Sequence, residues 1–170
     1  MLRYFIITIV VLLNFLFQST LFQYFSILGV VPNTSLILIV SFALISGKRT
    51  GAIIGICIGL LQDIFFCDVI GVNTLIYFII GYLVGLTDQK VFKENMFLPF
   101  AFTGLSTLFY HIAYFFFMYF LSVSVQFMKL INDVVFIEMI YNSIISIFIY
   151  KKILQVYLEP RMSFRKRARR

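Results

Sequence analysis

Three side chains in this sequence could move protons within apolar surroundings: Asp63, His111 and Glu138. Each lies in or beside a long hydrophobic stretch, so catalysis would need at least two of them at matching depth on facing helices. Nothing in their spacing brings them together, and hydrogen bonds that hold helices in place are the expected use of such groups. His111, alone among aromatics, reads as a packing residue. Cys57 and Cys67 would stand about 15 Å apart on a continuous helix, beyond disulfide reach. With one histidine in the chain no Cys/His zinc set can form, and both cysteines read as small apolar residues. The sequence holds no phosphate loop, dinucleotide fingerprint, metal-ligand spacing or serine elbow. The expectation is a protein that is not an enzyme and carries no catalytic residue, cofactor or metal.

Composition sets the elements that must carry these groups. Of 170 residues, 62% are apolar and 12% charged, against roughly 45–50% and about 25% in soluble domains; the mean hydropathy is +1.02. We read an all-α, polytopic integral membrane protein. Six spans of about 20 residues use roughly 120 positions and leave only short loops. Hydropathy and turn residues place them at about 4–22, 33–46, 51–66, 70–86, 96–121 and 133–150. A membrane domain over 1–158 is then followed by a basic tail over 159–170. The first apolar run meets no small-x-small cleavage site after Gln18, so it should stay as a span. Lys48 and Arg49 should close a tight hairpin between spans two and three.

Gly51, Gly55, Gly59 and Asp63 recur at four-residue steps, which stacks them on one helix face. In lipid, small residues let helix backbones approach closely and an ionisable residue avoids acyl chains. The stripe should face protein, by packing within this chain in the first instance or against a partner in the second. Ile58, beside it, should face lipid. Gly81 and Gly85 repeat the pattern on span four.

Lys and Arg are shared unevenly between alternate loops. The N-terminus, the 47–50 turn, the 87–95 loop and the tail hold one, two, two and eight, whereas the other loops hold only Lys129. Cytoplasmic segments carry the excess, so both termini are expected in the cytoplasm. Gln18 and Asp63 then rise about 21 Å above the starts of their spans. His111 falls in the outer half of span five, and Asn73 and Glu138 open spans that descend from outside. These five residues form an expected outer-half polar cluster, which either tolerates the interface or lines an outward cavity or docking groove. Arg165, Lys166, Arg167, Arg169 and Arg170 read as a membrane-surface anchor on anionic lipid rather than a nucleic-acid contact.

The order Pro32-Asn33, a short span, Arg49-x-Gly51, Gly55, Gly59-Leu60-Leu61-Gln62-Asp63, Gly71 and Gly81-Tyr82-x-x-Gly85 resembles the bacterial rod shape-determining MreD family. The resemblance implies a non-catalytic inner-membrane scaffold of the cell-elongation machinery, supporting rod shape and peptidoglycan synthesis. The implied partners are the bitopic protein MreC and, through it, actin-like MreB, RodA and a penicillin-binding transpeptidase. It also implies a fold similar to the six-helix substrate-binding subunits of energy-coupling-factor transporters. That likeness supplies the alternative function, vitamin-like small-molecule binding, for which the short and mostly apolar external loops here are a poor fit.

Overall fold

The structure is a computed structural model and describes residues 2–20, 26, 29–67, 69–87, 95–122 and 135–167. Among these it is all-helical, with six α-helices: α1 (Leu2–Thr20), α2 (Thr34–Ser46), α3 (Lys48–Phe66), α4 (Val72–Val84), α5 (Phe97–Phe120) and α6 (Phe136–Arg167). The expected loop residues Asp68, 88–94 and 123–132, Lys129 among them, and the first residues of the expected sixth span, 133–134, lie outside the described residues, as do Arg169 and Arg170.

Local sequence sets the helix ends. Asn33 caps α2, its side-chain oxygen accepting from the Leu36 N–H at 3.0 Å. Gly47, at φ 91°, ends α2 and starts α3 by itself. Its N–H donates to the Ala43 carbonyl and its own carbonyl accepts from the Gly51 N–H. A left-handed φ of this kind is open to glycine at little cost. The hairpin expected from Lys48 and Arg49 is therefore shorter than the sequence suggested, because both already lie in the first turn of α3.

α2 is the central element. It contacts each of the other five helices, and all but its last residue are buried. Thirteen residues reach only about 20 Å, short of the roughly 30 Å of a bilayer core; a helix shielded by neighbours on every side does not have to meet lipid itself. α3 and α5 are each long and apolar enough to cross a membrane, and 7–20, α2 and α4 are shorter apolar helices. The bundle's outer surface is hydrocarbon: Ile53, Ile64, Leu105, Phe116 and Phe148 are all more than half exposed. Such a surface suits acyl chains and not water.

Two further expectations are corrected here. Ile58 does not face lipid. It is 3% exposed and lies in the core, because α3 packs on α2 as well as α4 and so buries the flank of its glycine stripe. The sixth helix does not end near 150, but runs unbroken for 32 residues to Arg167. The stretch after Tyr150 is rich in good helix formers and lacks glycine, but it also carries Pro160, an unfavourable residue in a helix interior, and the helix runs through it.

Candidate functional site

The glycines lock α3 to α4 as an antiparallel hairpin. A Cβ on Gly51 would stand 2.5 Å from the Gly81 carbonyl oxygen, one on Gly55 would be 2.7 Å from the Tyr77 carbonyl carbon, and one on Gly59 2.8 Å from the Thr74 nitrogen. Seen from α4, a Cβ on Gly81 would meet the Gly51 backbone at 2.6 Å and one on Gly85 the Lys48 nitrogen at 2.5 Å. Apart from the Ala43 Cβ of α2, 2.7 Å from the Gly51 position, each obstacle is backbone, which cannot rotate away as a side chain can. The five glycines thus bring the two helix backbones into direct contact.

At the far end of that seam Asp63 ties the hairpin's turn. It is fully buried. Its carboxylate accepts from the backbone N–H groups of Gly71, Asn73 and Thr74 at 2.9, 3.1 and 2.9 Å, and from the Thr74 hydroxyl at 2.6 Å. Gly71 precedes α4 and has no side chain to cap it. Asp63, reaching across from α3, satisfies the donors that the first turn of a helix leaves open and places negative charge where the helix dipole favours it.

The segment 32–35, at the start of α2, is the hub of the remaining polar groups. Asn33 donates through Nδ2 to the Tyr77 hydroxyl at 3.0 Å, and its backbone N–H donates to Asn142 Oδ1 at 2.9 Å, a partner 109 positions away. Asn142 in turn donates to Thr107 Oγ1 and Glu138 Oε1, each at 3.2 Å, and Glu138 Oε2 meets His111 Nε2 at 2.8 Å. Tyr77 stacks on Tyr110 with centroids 5.4 Å apart. The Tyr110 hydroxyl donates to Asn73 Oδ1 at 2.8 Å, and Asn73 Nδ2 lies 3.1 Å from Cys67 Sγ. On the opposite flank Asn14 and Gln62 both donate to Ser35 Oγ, at 3.0 and 3.1 Å. Gln18 donates to the Pro32 carbonyl at 3.2 Å and accepts from the Thr34 hydroxyl.

All five residues of the expected polar cluster therefore fall at the end of the bundle where α1, α3 and α5 finish and α2, α4 and α6 begin. They do not form one constellation. His111 and Glu138 pair directly; Asp63 serves α4 and does not meet Glu138; Gln18 joins through 32–34. The residues that sequence reasoning passed over are Thr34, Ser35, Tyr77, Thr107 and Tyr110, along with Asn33 as a junction rather than a turn. Asn142 carried a signal in its four-residue spacing from Glu138. The others carried none, because tyrosine, serine and threonine are ordinary in apolar helices and only the tertiary fold aligns them.

Chemically the arrangement is one of mutual satisfaction. The buried carboxylates of Asp63 and Glu138 and the amides of Asn73 and Asn142 are each held by two or more hydrogen bonds, and the Asn14 amide by one, which fix helix positions and rotations. Among the described residues no group of three or more His, Cys, Asp or Glu could hold a metal ion. Of the basic tail, Arg165, Lys166 and Arg167 fall in the last turn of α6.

In comparisons with known proteins, the family model described as rod shape-determining protein MreD matches residues 1–158. No curated protein and no solved structure matches the chain.

Proposed function

Because the chain belongs to the rod shape-determining MreD family, we propose that it is a non-catalytic scaffold in the inner membrane of a bacterium, one on which the cell-elongation and peptidoglycan-synthesising machinery assembles. The membrane part comprises six spans over 1–158 with both termini in the cytoplasm, in the manner of energy-coupling-factor substrate-binding subunits, and a basic end over 159–170 lies at the membrane surface. Its partners are an MreC-like bitopic protein and, through it, MreB, RodA and a penicillin-binding transpeptidase.

The observation that carries this reading is the closure of the polar groups on one another. Side chains from α1, the start of α2, α3, α4, α5 and α6 are joined by hydrogen bonds at one end of the bundle. The result is a stiff frame with a hydrocarbon exterior, suited to presenting helix surfaces to other membrane proteins. A vitamin-binding role would want open space among those same groups, where the Tyr77 and Tyr110 rings stack instead.

The test is genetic and topological. In a rod-shaped host lacking its own family member, this chain should restore rod shape and should capture the MreC-like protein of its own organism. Reporter fusions after Lys48, Asp68, Lys90, Lys129 and Arg170 should read in, out, in, out, in. Rod shape restored with no partner captured would refute the scaffold role, and an external C-terminus would refute the six-span topology.

A further inference from the structure

α1 packs on α2 and α3, and between it and α6 a groove of 390 Å³ opens down to α2. Val10, Leu13 and Phe17, three and four residues apart, form its α1 wall; Phe148 and Ile149 form the α6 wall; Leu38 lies in the floor. Leu13 and Phe17 are 45% and 44% exposed, so this wall is unfilled. The two uncharged polar residues of the lining, Asn14 and Thr34, already bond to Ser35 and Gln18. An occupant therefore needs no hydrogen-bonding group along its body. At one end of the α6 wall the lining includes an exposed cation, Lys152.

We propose that this groove holds one acyl chain of an anionic glycerophospholipid whose phosphate sits at Lys152. The groove asks for a hydrocarbon body with a single negative end, which is the charge pattern of such a lipid. A partner helix could cover the same apolar lining, but it would answer Lys152 only by carrying an acidic residue at that depth, whereas a phosphate headgroup brings that charge with it. The inference rests on the membrane placement proposed above, in which Lys152 lies at the cytoplasmic leaflet, where anionic headgroups attract Lys and Arg.

The experiment uses the full chain in nanodiscs made from equal parts of phosphatidylglycerol and phosphatidylcholine, followed by native mass spectrometry of the lipid that stays bound. The unaltered protein should retain phosphatidylglycerol over phosphatidylcholine by about five-fold, the effect expected of one basic residue at the headgroup. Lys152→Gln should bring the two lipids to parity. Lys151→Gln, next to it but not lining the groove, should leave the preference unchanged. Leu13→Trp, which fills the groove from an already exposed position, should lower retention of both lipids. Unchanged retention in Lys152→Gln and Leu13→Trp would overturn the proposal, and so would equal losses in Lys151→Gln and Lys152→Gln, the sign of diffuse surface charge. Efficient disulfide cross-linking of Phe17→Cys to another protein or to a second copy in native membranes would overturn it as well, by seating a helix there. Retention is read without cells, so failure to restore rod shape would count against the proposed function and leave this result standing.

Discussion

Gly55→Ala adds one methyl group where there is no room for it. The new Cβ would lie 2.7 Å from the Tyr77 carbonyl carbon and 3.0 Å from the Phe78 nitrogen, where ordinary contact begins at 3.4 Å. Both obstacles are backbone, so α3 and α4 must separate by at least about 0.7 Å at this point. Overpacking of this size costs about 1–3 kcal/mol. For a chain of this length each kcal/mol moves the melting temperature by roughly 2–4 °C, which gives a drop of roughly 2–12 °C. Ile53→Ala, on the same helix at a position 61% exposed, removes lipid-facing surface and should change it by no more than about 1–2 °C. The assay is thermal unfolding of purified protein in one detergent, followed by partner capture. A second expectation follows from the shared seam: Gly55→Ala combined with Gly81→Ala should lose less than the two single changes added, because helices already forced apart admit the second methyl more cheaply. If Gly55→Ala melts with Ile53→Ala, or if the double change is strictly additive, the backbone-contact account of the hairpin is wrong.

Four other outcomes are expected. Asp63→Ala leaves three backbone N–H groups of the α4 turn without their acceptor and should destabilise by about 3 kcal/mol or more in the same melting assay, well beyond the loss from Thr74→Val. Asn33→Ala removes a helix cap worth about 1 kcal/mol together with the Tyr77 contact, so its loss should exceed the capping value alone. A double-mutant cycle on His111→Ala and Glu138→Ala should return a coupling of about 0.5–3 kcal/mol, and a coupling near zero would mean that the 2.8 Å contact holds nothing. Removal of residues 161–170 should leave insertion and orientation intact but weaken association with anionic vesicles, and raising salt should mimic the truncation, since such contacts fade over about 8 Å at physiological ionic strength.

Much of the helix content was legible because apolar runs and their breaks are local. Asn33 and Gly71 stand close to the starts expected for spans two and four, and the positions of Gly51, Gly55 and Gly59 follow from their spacing, whereas Gly47 was legible only as part of a longer turn. Ile58 shows where that reasoning stops. In water an apolar residue points inward and a polar one outward, so periodicity reveals the buried face; in lipid both faces are apolar, and Ile58 in the core looks the same in sequence as Ile56 at its edge. The central place of α2 was hidden for the same reason, since a helix buried on all sides and one bathed in lipid have the same composition. The polar hub was legible only in its unusual members. Asp63, His111 and Glu138 stand out as ionisable, while Tyr77 and Ser35 acquire their roles from partners tens of positions away.

The Asn33–Asn142 hydrogen bond spans 109 residues of chain, and that separation has a bearing on biogenesis. At a synthesis rate of about 5–20 residues per second, α6 emerges roughly 5–20 s after the start of α2. The α3–α4 hairpin closes much sooner, because its glycines and Asp63 find their partners within a few tens of residues. The nascent chain thus holds a finished hairpin beside a short central helix whose capping asparagine still lacks its last neighbour. During that interval α1, α3 and α4 can already lie against α2, and what stays open is the flank that α6 will cover together with the Asn33 N–H.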